Sequence, residues 1–163
     1  MAVSKHLGDR LPDELLQRLD RGNLYREGGL GLAVLTLDEA GWPHVAMAPG
    51  CVATQPRQVW VALGGSSHSL RNVARNSIVT LQIAGPGTLY YVKGRATVVR
   101  PEMQVMQQEA ALRLDVTEVL ADTESFVEIT GGIRYRYRLM HEDFVQIIGA
   151  LLDELYILAT EAH

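Results

Sequence analysis

Residues 58–83, QVWVALGGSSHSLRNVARNSIVTLQI, decide the fold because two kinds of secondary structure alternate within them. The pattern predicts a strand over 58–63, a Gly/Ser-rich turn, a short helix and a second strand over 78–84. Backbone N–H groups at a helix N-terminus attract anions, and an arginine can bind a phosphate through two hydrogen bonds. Residues 64–76, which we call the cradle, therefore favour an anion site.

The same turn has a simpler interpretation. A polar loop with Ser69 as the helix N-cap would be satisfied without any ligand. The sequence contains neither the P-loop pattern GxxxxGK[ST] nor a strand-linked GxGxxG motif. Binding of a nucleoside triphosphate or of a dinucleotide on a Rossmann fold is therefore not favoured.

Elsewhere the chain alternates between strand patterns and tight turns, which predicts an antiparallel meander rather than βαβ units. Gly94 lies inside the last of these early strands, where it indicates a bulge or a close backbone approach. We expect one domain over 1–163, with an N-terminal helix at 11–21, a barrel core at 30–99, and C-terminal helices and a hairpin at 101–159. The expected strands are 30–37, 42–49, 58–63, 78–84 and 88–99. After them we expect a helix over 101–112, a segment at 113–121 that is ambiguous between strand and helix, a hairpin of 124–130 with 133–139, and a helix over 142–159.

Composition excludes several classes of function. The 163 residues carry a net charge of −4, which does not favour a general surface for nucleic acid or anionic membranes. The chain has one cysteine, no apolar signal sequence and no run long enough to span a bilayer. We therefore expect a cytoplasmic protein without disulfides, and no histidine spacing predicts a metal site.

Three further features have ordinary structural interpretations. Cys51 is expected to be buried and inert rather than a nucleophile. Arg134, Arg136 and Arg138 alternate with apolar residues and predict the solvated face of a strand, with pairing to acidic groups or to phosphate as alternatives. His68 is the one histidine within the cradle, where it could donate a hydrogen bond to phosphate. The C-terminal apolar helix favours core or dimer packing.

Three ordered segments resemble the pyridoxamine 5′-phosphate oxidase-like superfamily, the FMN-binding split β-barrels. They are LAVLTLDEAGWPHVAMAPG (32–50), VWVALGGSSHSLRNVARNSIVTLQI (59–83) and GTLYYVKGRATVV (87–99). The resemblance implies a mainly β, six- to seven-stranded antiparallel split barrel with flanking helices. It also implies a homodimer with an FMN at each end of the interface.

The resemblance further implies positions for the cofactor. Ala46, Met47 and Ala48 would run beside the isoalloxazine ring and ribityl chain, and Ala62 and Leu63 would close the third strand over it. Tyr91 and Lys93 would approach from the partner subunit. The residues implied around the phosphate are Ser67, His68, Ser69, Arg71 and Asn72.

The sequence departs from the better-known oxidases at two places. Ser69 stands where a lysine is usual, so Arg71 or His68 would supply the positive charge. The second strand lacks the Arg and Lys that true pyridoxamine-phosphate oxidases carry there, and Ala46 and Cys51 stand near those places, which argues against vitamin B6 oxidation. The expected function is an FMN-dependent oxidoreductase that uses a nicotinamide donor and a small-molecule substrate. The alternative is a non-catalytic module that binds flavin, deazaflavin or heme, and no catalytic residue is assigned.

Overall fold

A computed structural model describes residues 4–23, 32–134, 138 and 141–162. Its strands form one antiparallel sheet that curls into a half-barrel, with helices packed against it, so the expected mainly β split barrel is confirmed. The strand order is β3-β2-β6-β7-β8-β5-β4, and the short β1 pairs with β8. The strands are β1 (Lys5–Gly8), β2 (Leu32–Leu37), β3 (Pro43–Ala48), β4 (Gly50–Gln55), β5 (Gln58–Gly64), β6 (Ile78–Gly85), β7 (Thr88–Arg100) and β8 (Glu109–Asp122).

The barrel interior is built from every second residue of each strand. Val34, Leu81, Val92 and Val119 are register partners across β2, β6, β7 and β8, and none is more than 1% exposed. Residues on alternate positions of a strand point to opposite faces, so this row defines the inner face of the sheet. Burial of such branched side chains contributes roughly 1.5–3 kcal/mol each.

The N-terminal helix is confirmed as α1 (Asp13–Leu19), which continues into a 3-10 turn, Asp20–Gly22. Its Leu15 and Leu19 are fully buried. The C-terminal helix is also confirmed, as α3 (His141–Glu161). Leu151 and Leu152 of α3 pack directly over Gly50, where a Cβ atom would lie 2.7 and 2.9 Å from their methyl carbons.

Two predictions along the C-terminal half are wrong. Residues 101–108 form a loop rather than a helix, and the segment that follows is β8, a strand of 14 residues. Met103, expected on a helix face, is instead the fully buried anchor of that loop. The predicted first hairpin arm, 124–130, carries no strand in the structure, and Tyr135, Arg136, Tyr137 and Leu139 of the second arm lie outside the described residues.

The bulge expected at Gly94 is confirmed. The β7–β8 register shifts between Lys93 and Gly94. A Cβ atom on Gly94 would overlap the carbonyl oxygen of Asp115 on the neighbouring strand. Only glycine therefore allows the two longest strands to approach at this point.

Candidate anion and cofactor site

The cradle connects β5 to β6 through helix α2 (His68–Arg75). Ser67 is the N-cap residue, and its hydroxyl accepts a hydrogen bond from the Leu70 N–H at 3.1 Å. The prediction of Ser69 as the cap is therefore wrong by two residues. An N-cap serine satisfies only one of the first-turn N–H groups, so the remaining positive end of the helix is available for an anion.

Arg71 folds back over this helix start. Its Nη1 donates to the carbonyl oxygen of Ser66 at 2.9 Å, which holds the guanidinium beside the first turn. A guanidinium has five N–H donors, and Arg71 is exposed, so donors beyond this bond remain for a ligand. Residues 64–76 contain no carboxylate side chain to neutralise it.

The expected phosphate residues do not all lie on one side of α2. His68 and Arg71 are exposed, whereas Ser69 and Asn72 are 0% and 6% exposed and face the barrel. Asn72, expected at the helix start, lies in its middle and donates to the buried Thr36 hydroxyl at 3.0 Å. The Ser69 hydroxyl has no hydrogen-bond partner among the described residues.

Two residues outside the predicted phosphate set also belong to this region, Arg75 at the end of the cradle and His44 on β3. The ring of His44 on β3 lies 5.8 Å from that of His68, measured between centroids. Arg75 donates to the Leu37 carbonyl oxygen at 3.0 Å, which ties the end of α2 to β2. The Pro-His pair at the start of the second predicted strand was the available signal for His44, but its proximity to His68 depends on barrel closure.

Glu109 also lies beside the cradle. It is the register partner of Gly64 on β8, and the next residue, Gly65, donates its N–H to the Gln108 carbonyl at 2.7 Å. Burial raises the pKa of the Glu109 carboxyl above its ordinary value. One carboxyl oxygen is buried without a partner among the described residues, so this group is more readily protonated than a surface glutamate.

The residues expected along the isoalloxazine ring divide by burial. Ala62, Leu63 and Ala48 are no more than 2% exposed and belong to the core. Ala46 is half-buried on the inner face, and Met47 is 39% exposed on the opposite face of β3. A flat ligand could therefore contact the side chain of Met47 and the edge of β3, but not the side chains of the buried three.

Tyr91 and Lys93 lie on the outer face, which we define by the register row that joins Met47, Ala33, Gln82 and Tyr91. Strands are about 4.8 Å apart, so Tyr91 lies about 14 Å from Met47 within one chain. The structure therefore does not bring these two predicted residues together in one subunit. Lys93 forms an ion pair with Glu118, Nζ to Oε2, at 2.7 Å.

Two broader properties concern the part of the chain that the structure describes. None of its helices is both long and apolar enough to cross a membrane. Within the same residues, no three histidine, cysteine, aspartate or glutamate side chains gather in an arrangement that could hold a metal ion.

Comparison with known proteins identifies the architecture. No family model matches the chain. The uncharacterized protein YclD of Bacillus subtilis (strain 168) is 24% identical over 126 residues, which cover 76% of this chain and 82% of that protein. Among solved structures, a candidate pyridoxamine 5′-phosphate oxidase from Lactobacillus delbrueckii superposes with a TM-score of 0.56 at 20% identity, over 71% of this chain and 98% of that one.

A second solved structure agrees. A candidate 5-nitroimidazole antibiotic resistance protein from Bacteroides thetaiotaomicron gives a TM-score of 0.52 at 8% identity, over 75% of this chain and 88% of that chain. At these identities the likeness concerns the fold. The chain therefore has the split-barrel fold of these solved structures.

Proposed function

We propose that this split-barrel protein binds FMN, with the cofactor phosphate at the cradle, and acts as a flavin-dependent oxidoreductase on a small molecule with a nicotinamide electron donor. The observation that carries the proposal is the Arg71 guanidinium, held beside the N-terminus of α2 by its bond to Ser66. A helix start, a fixed guanidinium and a stretch free of carboxylates together suit a phosphate monoester. The single buried cysteine suits a reducing compartment, and we propose a cytoplasmic location.

The residues of the chain would divide the work between binding and orientation. Arg71 and His68 would bind the phosphate from the exposed side of α2. The Asn72–Thr36 hydrogen bond fixes the helix against β2 and so sets the position of that phosphate site. Met47 and the backbone of β3 would support the ring. FMN supplies the hydride chemistry when bound, while the protein orients it and tunes its electronics.

The first experiment is a visible spectrum of the purified protein before and after addition of FMN. We expect the flavin spectrum, and its bleaching by NADPH or NADH under anaerobic conditions. A protein that is colourless and takes up no FMN would refute the proposal.

A paired variant tests the cradle itself. Replacing Arg71 with alanine should weaken FMN about 10- to 150-fold, the equivalent of a 1.5–3 kcal/mol charged hydrogen bond. Riboflavin lacks the phosphate, so its affinity should not change in the same variant. Arg95→Ala, which removes an exposed arginine bonded to Ser77, is the matched control. Equal losses for FMN and riboflavin would place the phosphate elsewhere.

A non-catalytic binding module is the second candidate. Ser69, which takes the place of the usual lysine, is fully buried and uncharged, so the cradle has one cation fewer than a typical oxidase. Such a module would hold flavin, deazaflavin or heme without turnover. A flavin spectrum that neither NADPH nor NADH bleaches would favour it over the oxidoreductase.

We also propose a homodimer formed through the outer face. Trp42, Val45 and Met47 are 70%, 54% and 39% exposed along the edge of the sheet, a concentration of apolar surface typical of interaction sites. The partner's copy of Tyr91 could then reach the ring. Sedimentation equilibrium should give a dimer for the parent protein and a monomer for Met47→Glu, and a monomeric parent would refute the assignment.

A further inference from the structure

Residues 124–134, which we call the strap, cross the outer face at the end remote from the cradle. The Gly87 N–H in the β6–β7 turn donates to the Ile129 carbonyl oxygen at 3.1 Å and fixes the strap at one point. Gly132 meets the sheet at a second point, where a Cβ atom would lie 3.0 Å from the Cβ of Ala84. The strap is therefore held against β6, and it partly covers the spaces on either side of it.

The glycine pair in the strap has two separate roles. Any side chain at Gly132 would push the strap away from Ala84. At Gly131 the missing side chain leaves room for Arg134, whose Nη2 lies 3.5 Å from the place a Cβ would occupy. Arg134 thus folds back over the strap instead of extending from it.

Two neighbouring cavities lie beneath the strap, of about 260 and 300 Å³. The larger volume lies at the lower end of the roughly 300–1,000 Å³ found for small-molecule sites, and the smaller volume lies just below that range. The smaller cavity is mainly apolar, and the larger one has charged groups. Lining residues of the smaller cavity include Ala33, Gln82, Ala84, Leu89, Ile129 and Ile133. The lining residues of the larger cavity that have polar side chains are Arg18, Glu128, Thr130 and Arg134.

The apolar cavity continues the surface proposed for the ring. Ala33 and Gln82 are the next two members of the outer row that begins at Met47, so the cavity starts about 5 Å, one strand spacing, from that side chain. Ile133 at its rim is 54% exposed, so apolar surface remains for a ligand to cover.

We propose that the cavities beneath the strap bind a small molecule with an apolar, ring-sized body and one anionic group. The body occupies the space between Ala33 and Ile133, and the anion pairs with Arg134. The anion is assigned to Arg134 because this exposed guanidinium folds back over the strap and lines the larger cavity. The assignment of this ligand as the substrate rests on the proposed function, whereas its binding does not.

The experiment measures binding of two fluorescent probes of similar shape and different charge. Anilinonaphthalene sulfonate is anionic, and N-phenylnaphthylamine is neutral. Ala33→Met fills the apolar cavity and should weaken both probes at least tenfold. Arg134→Gln lies on the exposed strap and should weaken only the anionic probe, about tenfold, the scale of one charge-assisted hydrogen bond.

Arg95→Gln is the charge control, since Arg95 pairs with Ile78 at the opposite end of β6 from Ala84. Circular dichroism verifies that Ala33→Met folds, and Arg134→Gln tests the proposal independently of that result. Equal affinities of the parent protein and Arg134→Gln for the anionic probe would overturn it. If the protein is colourless and takes up no FMN, but its variants change the affinities of the two probes as expected, the proposed flavin function would be refuted and this ligand site would remain supported.

Discussion

Removal of the Glu154 carboxylate should destabilise the protein more than almost any other single charge deletion. The side chain is 7% exposed on α3 and accepts three hydrogen bonds. The donors are Arg100 Nη1 at 2.8 Å and the N–H groups of Gln104 and Val105 at 2.8 and 2.9 Å. Glu154 therefore fixes the 101–108 loop to the C-terminal helix.

The magnitude follows from these three bonds. Each hydrogen bond to a charged group contributes about 1.5–3 kcal/mol, and removal of a partner from a buried ion pair costs about 3–5 kcal/mol. Gln104 and Val105 are exposed residues, so their N–H groups can regain water. We therefore expect Glu154→Ala to lose about 3 kcal/mol and, at about 2–4 °C per kcal/mol, to lower Tm by about 6–12 °C.

Thermal and urea unfolding at neutral pH provide the measurement. Glu161→Ala removes an exposed carboxylate from the same helix and should change stability by no more than about 0.5 kcal/mol. A loss below about 1 kcal/mol for Glu154→Ala would refute this account of the loop, because it would mean that the three bonds contribute little beyond hydration.

The pH dependence gives a second check. Burial alone would raise the pKa of Glu154, but the bonds from Gln104, Val105 and Arg100 outweigh it and hold the pKa below the ordinary value of 4.5. A carboxyl whose pKa is lower in the folded state stabilises fully above its unfolded pKa, and this contribution is lost as pH falls through the folded pKa. The difference in stability between the parent protein and Glu154→Gln should therefore shrink below about pH 4.5.

Three further predictions concern other parts of the fold. Gly94→Ala should lower the free energy of unfolding by about 3 kcal/mol or more, because the methyl group overlaps a carbonyl oxygen of β8. Gly149 has open space around it, so Gly149→Ala should raise the free energy of unfolding in urea by about 0.5–1 kcal/mol. Asn72→Ala should lower the free energy of unfolding by about 1–3 kcal/mol, because it leaves the Thr36 hydroxyl unpaired. The double variant with Thr36→Val should recover part of that loss, and additive losses would exclude the hydrogen bond as the cause. Burial and a hydrogen-bonded carboxylate, that of Asp122, raise the pKa of Tyr91 above the ordinary value of 10.0. An ultraviolet difference titration against Tyr91→Phe should therefore show the phenol ionising above that pH, and an unshifted transition would contradict this environment.

The strands that sequence predicts well are those bounded by turn residues. Strands β2, β3, β6 and β7 have clear starts and turn residues, and the bulge at Gly94 follows from a glycine inside a long strand. Strand β4 was missed because Gly50, Cys51, Val52 and Ala53 are all buried, so no alternation marks it. It also lacks the run of β-branched and aromatic residues that marks the equally buried β5. The barrel interior covers one face of β4 and α3 covers the other.

Strand β8 illustrates an override of local preference. Met103, Met106 and Ala110 have helical spacing, and the surrounding Gln, Glu and Ala residues favour a helix. Pairing with β7 on one side and β5 on the other makes the segment from Glu109 onward a central strand instead. The β5–β8 pairing joins residues about fifty positions apart, and no local pattern encodes it.

In the candidate site, too, local features were predicted from sequence, whereas contacts that depend on the folded sheet were not. Sequence predicted the turn and the short helix of residues 64–76, because a turn between two strands is a local feature. It could not separate the exposed His68 from the buried Ser69, since that depends on which side of α2 meets the barrel. His44 and Glu109 come from other strands, so only the closed sheet brings them to the cradle.

The strand order also has a consequence for synthesis on the ribosome. Strands β2, β3, β6 and β7 can associate as soon as residue 100 has emerged, because each pairs with a strand already made. The β4–β5 hairpin emerges earlier, but among the strands of the described residues it pairs only with β8, which ends at Asp122. During translation this apolar hairpin is therefore exposed without its partner strand. We expect chaperones to contact it, and we expect chains truncated before β8 to aggregate through it.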